Sequence, residues 1–309
     1  MPVLVTGANG HLGRALLERA DDGARFRAAV RSQRAAAQLE ALPASARPPV
    51  ALVDYADEAA MREAARGCEA VVHLVGILKE AKGASYRDAH EESCRVLARA
   101  AAAAGVRRIV YLSIVGSRPG ARNACLASKG AAEETLLAGA VPATILRVPM
   151  VLGRGDYAAS ALRRQALAPR ARLVGGGRTL QQPIDARDVV DAILAAAADT
   201  GDERAALDLG GPECLPHREL VARAARALGR PAPRIASVPL ALARAFAAAA
   251  GALLANPPIT SAMLGVLQHD DRVDPQPACA RLGIALTPLD DTLAHCLRAD
   301  DAAPAPETR

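Results

Sequence analysis

The chain has 309 residues, enough for one large α/β unit or for a core domain with a smaller lobe. Hydrophobic residues make up 51% of it but aromatics only 2%, so its core must be packed from Ala, Leu, Val and Ile. The net charge of +5 comes from arginines scattered along the chain rather than blocked, which argues against a nucleic-acid partner and suits a positive cleft for a phosphorylated ligand.

Apolar runs at residues 3–5 and 26–30 predict the first two strands, each followed by a helix, at 11–20 and 33–42. Further strands are predicted at 50–53, 71–75, 108–112 and 144–148, with helices at 58–66, 87–104 and 127–137 in the gaps. This alternation, with continuous apolar strands, predicts a parallel sheet covered on both faces. Right-handed crossovers make such a sheet doubly wound. After Val148 the rhythm changes. Gly153, Gly155 and the run Gly175-Gly176-Gly177 bracket an arginine-rich helical segment. A helix at 188–198, a short strand at 205–209 and a helix at 217–228 follow, and proline-punctuated helices close the chain. The expected organisation is a Rossmann-type α/β domain over 1–150, with returns to it at about 178–211. A smaller, mostly helical substrate lobe takes 151–177 and 212–300, and 301–309 is a frayed tail.

The six cysteines form no C-x-x-C pair and none stands at zinc spacing from a histidine. No metal site is expected, and free thiols suit a reducing compartment, so the expected location is the cytoplasm. No export signal is expected, because residues 6–13 are polar and already structural. The most apolar stretch, 239–255, contains Arg244 and is mostly alanine. It reads as a buried or amphipathic helix rather than a membrane-spanning one, and the protein as cytoplasmic, with a place peripheral to the membrane as the alternative.

The strongest motif is Thr6-Gly7-Ala8-Asn9-Gly10-His11-Leu12-Gly13, between an apolar strand and a helix. Gly7 permits the tight turn out of the strand, Gly10 lets backbone N–H groups approach a pyrophosphate, and Gly13 lets helix and strand pack closely. The helix start then offers free donors and a positive dipole end to the phosphates. A dinucleotide is therefore the expected ligand. The second strand ends at Val30, where a carboxylate would take an NAD ribose hydroxyl; instead Arg31 follows, with Arg34 one turn on. A guanidinium suits a 2′-phosphate, so NADP(H) is favoured, with NAD(H) the alternative.

The loop is spaced Gly-x-x-Gly-x-x-Gly and resembles that of the extended and atypical short-chain dehydrogenase/reductase superfamily. The resemblance runs nearly end to end. It continues through Asp54, His73-Leu74-Val75-Gly76, residues 105–113, Ser128-Lys129 and Leu146-Arg147. It then takes in Gly153-x-Gly155-Asp156, Gln182-Pro183-Ile184 with Asp188-Val189, and Leu209-Gly210-Gly211-Pro212-Glu213. The His-Leu-Val-Gly segment and the tail are most similar to the branch that holds the nucleotide-binding accessory subunit of respiratory complex I and its bacterial relatives. The resemblance implies that Asp54 contacts the adenine end, although a cap on the following helix is an equal use for it. It also implies that Leu74, Val75 and Gly76 line the cofactor through their backbones.

That superfamily works with a Tyr-x-x-x-Lys pair and an upstream Ser or Thr. The lysine lowers the phenol pKa and holds the nicotinamide ribose, and the tyrosine exchanges a proton while hydride moves. Ser113 and Lys129 match two of these positions, and Lys129 is one of three lysines in an arginine-rich chain. The tyrosine position is Cys125. Its sulfur ends several Å short of a phenolic oxygen, so it is expected to pack rather than to donate. Tyr86, Tyr157 and His90 are the other groups that could face the cleft. Two readings follow. One is a nucleotide-binding accessory or regulatory protein; the other is an NADP-dependent oxidoreductase or epimerase-like enzyme with a displaced proton donor and an unnamed small-molecule substrate. The resemblance, with the alanine-rich segment 239–255, also implies a third, a membrane-associated electron-transfer protein with a respiratory-complex partner.

Overall fold

The computed structural model describes residues 2–254, 257 and 259–298, without the side chain of Ala252; the tail expected at 301–309 lies outside the described residues. Seven strands form one parallel sheet: β1 (Val3–Thr6), β2 (Phe26–Val30), β3 (Val50–Leu52), β4 (Ala70–His73), β5 (Arg108–Ile114), β6 (Ala143–Val148) and β7 (Ala205–Asp208). Their order is β7-β6-β5-β4-β1-β2-β3, a Rossmann-type doubly wound α/β sheet. The central strands are buried on both faces, which is why they read as unbroken apolar runs.

Helices cover both faces. Helices α1 (His11–Ala20) and α7 (Ala186–Ala198) pack together over one, where Val5, Leu16, Val110 and Ile193 lie in one core. Helices α3 (Glu58–Ala65), α4 (Ser93–Ala103) and α5 (Ala124–Leu137) cover the other, where Leu4, Met61, Leu97, Tyr111 and Leu136 lie in a second core. Helix α2 (Gln33–Ala37) is shorter than the sequence predicts. Beyond it the chain turns in single tight bends that bring Leu39 and Leu42 into the core.

The helix expected at 87–104 is divided. Residues Arg87–Glu92 are wound as a π-helical segment, in which the Ser93 N–H bonds back to the Asp88 carbonyl, before α4 begins. Helix α5 starts earlier than predicted because Asn123 caps it, its Oδ1 accepting from the N–H groups of Cys125 and Leu126 at 3.0 and 3.2 Å.

Beyond β6, helices α6 (Tyr157–Leu167), α8 (His217–Ala227) and α12 (Leu289–Cys296) share a third core with Leu152, Leu173, Leu220 and Leu293. This region also carries strand pairs that the sequence reading missed. The longest joins Arg170–Val174 to Arg234–Val238 in parallel. Helices α9 (Leu240–Leu253) and α10 (Ser261–Leu267) pack on one another, α10 also meets α5, and α11 (Gln276–Leu282) packs on α7. Among the described residues no helix is long and apolar enough to cross a membrane.

Candidate dinucleotide site

The sheet order reverses between β1 and β4, and their C-terminal ends lie level: Thr6 pairs with His73 in the ladder, and Thr6 Oγ1 lies 2.7 Å from His73 Nδ1. A crevice opens outside strands at such a switch point. Here it is a cleft of about 460 Å³. The glycine loop supplies Gly7, Asn9 and Gly10 to its wall, the turn after β2 supplies Arg31 and Arg34, that after β3 supplies Asp54, and that after β4 supplies Leu74, Val75 and Gly76.

Two glycines in the loop are there for steric reasons. Gly7 has φ +70°, and a Cβ on it would stand 3.2 Å from the Leu74 carbonyl carbon. A Cβ on Gly13 would stand 2.5 Å from the Ala8 oxygen and push α1 off the strand. Gly10 is different: it is exposed, and a Cβ there would meet only the Gly7 oxygen, at 3.2 Å. It is also the cap residue of α1, with no side chain to satisfy the first-turn N–H groups. Those donors and the open face of Gly10 are what a pyrophosphate needs, so the residues present fit a dinucleotide.

His11, Leu12 and Gly13 do not line the cleft. His11 opens α1 near Arg14 and Asp156; burial, then the Arg14 charge, lower its pKa. Leu12 packs against the core, and Gly13 is buried under the loop. A residue the sequence reading missed braces the loop. Tyr55 accepts from the Gly7 N–H at 3.0 Å and donates to the Ala29 carbonyl at 2.8 Å, tying the loop to β2. Its signal was a tyrosine directly after Asp54, in a chain with four tyrosines. Asp54 accepts from the Ala56 N–H at 3.1 Å and does not cap α3; Asp57 does, through the N–H groups of Ala59 and Ala60. The Arg31 guanidinium lies 5.9 Å from the Tyr55 ring centre, and Asn9 donates to Gln38 at 2.9 Å across the same wall.

The catalytic-type residues gather around α5, beneath the wall formed by Gly76 and Ile77, and none of them lines the cleft itself. Lys129 stands one turn after Cys125. Its ammonium donates to the Leu112 carbonyl at 2.8 Å and lies 4.5 Å from the Tyr111 ring centre. It is also close to Gly76, where an added Cβ would stand 3.1 Å from Nζ. Burial lowers its pKa to about 8. The Cys125 thiol is fully buried, with Sγ 3.8 Å from the Ile77 oxygen; burial pushes its pKa up to about 11 against the pull of Lys129. The Tyr86 hydroxyl lies against that thiol and donates to the Leu78 carbonyl at 2.8 Å, and burial raises its pKa.

His90 accepts from the Ile77 N–H at 3.1 Å through Nε2, which assigns its proton to Nδ1, 2.8 Å from Ser128 Oγ. Burial, then Lys129, lower its pKa to about 3, so it is neutral. Ser113 does not bond to this group. Its hydroxyl donates to the buried Glu133 carboxylate, which also pairs with Arg147. Tyr157 is exposed on α6. Among the described residues no group of His, Cys, Asp and Glu could hold a metal ion.

A family model described as NAD(P)H-binding matches residues 7–200. The chain is 30% identical over 201 residues to the mitochondrial NADH dehydrogenase [ubiquinone] 1 alpha subcomplex subunit 9 of Arabidopsis thaliana. That match takes 63% of this chain and 49% of the plant protein, so the chain spans about half the length of that relative. It is also 30% identical over 236 residues to (4-alkanoyl-5-oxo-2,5-dihydrofuran-3-yl)methyl phosphate reductase of Streptomyces griseus, covering 74% of each. The solved structure of a Citrobacter triphenylmethane reductase superposes with a TM-score of 0.74 at 18% identity, over 96% of this chain and 99% of that one. At that identity it is the fold that is shared.

Proposed function

Because the chain belongs to the NAD(P)H-binding family, within the extended and atypical short-chain dehydrogenase/reductase superfamily, we propose that it binds NADP(H) as an accessory or regulatory protein and has lost that superfamily's ordinary carbonyl chemistry. The observation that carries this reading is Cys125. The residue in the tyrosine place is a fully buried thiol with a pKa near 11, directed at a backbone oxygen. Proton transfer needs geometry first and a matched pKa second, and this thiol supports neither. Lys129, the group that would acidify a phenol there, gives a hydrogen bond to the Leu112 carbonyl.

Arg31 and Arg34 on the cleft wall support NADP(H) over NAD(H), since no carboxylate ends β2. Similarity to a protein named as an NADH dehydrogenase subunit supports an accessory place beside a redox assembly. Six free cysteines suit the cytoplasm.

A reductase is the second reading, favoured by the Tyr86 phenol beside Cys125. That phenol would have to leave the Leu78 carbonyl before it could serve. NADPH binding without oxidation by ketones or quinones is the result expected from the first reading. Steady turnover by the native protein overturns it.

A further inference from the structure

The apolar side chains of α9 are turned outward. Leu242 and Phe246 are 63% and 61% exposed, and Leu253 is 83% exposed. With Ala249 they stand at helical spacings of four, three and four, forming one stripe. The helix packs on α10, and Ala247 and Ala250 are its buried positions. Scattered exposed leucines are ordinary on a protein surface, but an aligned stripe marks an interaction site. The chain has only two phenylalanines: Phe26 is core, and the other is on this stripe.

Between Leu220 and His269 the sequence has no acidic residue. Of the arginines there, Arg223 is paired with Glu213 and Asp290, and Arg244 stands on the face of α9 away from the stripe, so the positive charge offered beside the helix is that of the strand before it. The strand Arg234–Val238 leads through Pro239 directly into α9, and it pairs with Arg170–Val174 so that Arg234 lies opposite Arg170. Ala171 and Leu173 turn inward there, which leaves Arg170, Arg172 and Arg234 on the outer face. None of these three makes an ion pair among the described residues.

We propose that α9 and this arginine ribbon dock the protein onto an anionic lipid surface, with α9 lying in the plane of the interface. At 14 residues α9 is about 21 Å long, too short to span a bilayer and suited to lying flat on one. A bilayer asks only for apolar side chains and positive charge, both present here. A protein partner is recognised through shape and anchoring Trp or Tyr side chains, and the stripe is Leu, Ala and a single Phe. This inference is independent of the turnover question and is read without cofactor.

The test is co-sedimentation of the full chain with vesicles of phosphatidylcholine alone and of phosphatidylcholine mixed with phosphatidylglycerol, together with sedimentation velocity without lipid. The native protein is expected to bind the anionic vesicles, to bind less as salt is raised, and to ignore the neutral ones. Phe246→Glu with Leu242→Glu should weaken binding at least about tenfold, as should Arg170→Gln with Arg172→Gln and Arg234→Gln. Leu253→Glu, at the most exposed position, serves if the double change disturbs the far-ultraviolet spectrum. Absence of binding to anionic vesicles, or binding untouched by these changes, overturns the proposal. So does a dimer that the α9 variant splits into monomers, since a second copy would then cover the stripe.

Discussion

The Lys129 ammonium donates to the Leu112 carbonyl oxygen at 2.8 Å from a position wholly inside the protein. Its folded pKa of about 8 lies below the value of about 10.4 in an unfolded chain. The unfolded state therefore binds more protons between those values, and stability should rise with pH across that window. At neutral pH the buried charge costs the fold free energy, so Lys129→Met should raise stability by about 1–3 kcal/mol. Urea midpoints of the two proteins at pH 7 test this. A less stable variant would show that the Leu112 bond and the Tyr111 contact outweigh burial.

The last two glycines of the loop should separate folding from binding. Gly13→Ala forces a Cβ to within 2.5 Å of a backbone oxygen, and overpacking of that kind costs about 1–3 kcal/mol. Gly10→Val makes a single tight contact, its Cβ 3.2 Å from the Gly7 oxygen, so the variant should lose less stability than Gly13→Ala while losing nucleotide affinity. Thermal melts and NADPH titrations of both variants give the comparison; unchanged affinity in folded Gly10→Val would remove the glycine loop from the site.

Cofactor preference should rest on Arg31. A charge-assisted contact to a 2′-phosphate contributes about 1.5–3 kcal/mol, or at least about tenfold in affinity. Native protein should bind NADPH more tightly than NADH by that margin, and Arg31→Glu should erase the difference. Calorimetric titration of both nucleotides reads it directly, and equal native affinities would assign the guanidinium to the Tyr55 ring alone.

The central sheet was legible because each buried parallel strand is an unbroken apolar run and each crossover helix has its own period. The strand pair Arg170–Val174 with Arg234–Val238 was less so. Its alternation is carried by Arg, Ala and Leu rather than by β-branched residues, and it lay in a stretch read as an arginine-rich helix. In the site, the glycine loop and the arginines after β2 could be placed from spacing. Tyr55 could not, because its role is a pair of long-range hydrogen bonds from a loop. The partnership of Ser113 with Glu133 was equally hidden, since strand residue and helix residue meet only in the packed fold.

Acid should loosen this protein through two buried histidines. Burial, with Lys129 nearby, holds both His73 and His90 down at about 3, so each stays neutral while the unfolded chain would take a proton near 6.5. Their contribution is full above about 6.5 and falls by about 1.4 kcal/mol per pH unit for each histidine down towards 3. Asp156, Asp188 and Asp271, whose pKa values burial raises, work in the opposite sense. Comparison with His90→Gln isolates the histidine. The slope of stability against pH between 6 and about 4.5 should be shallower in the variant by about one proton, and identical slopes would contradict a neutral His90.

The most direct measurement is oxidation of NADPH, followed at its nicotinamide absorbance, by native protein, Cys125→Ser and Tyr86→Phe with small ketones and quinones, beside an NADPH titration of the same samples. Saturable binding by all three proteins and no turnover above the uncatalysed rate are expected. Turnover by the native protein that Cys125→Ser abolishes would make the thiol the working acid. Turnover that survives Cys125→Ser and is lost in Tyr86→Phe would make the protein a reductase with a displaced donor, and either result contradicts the accessory role.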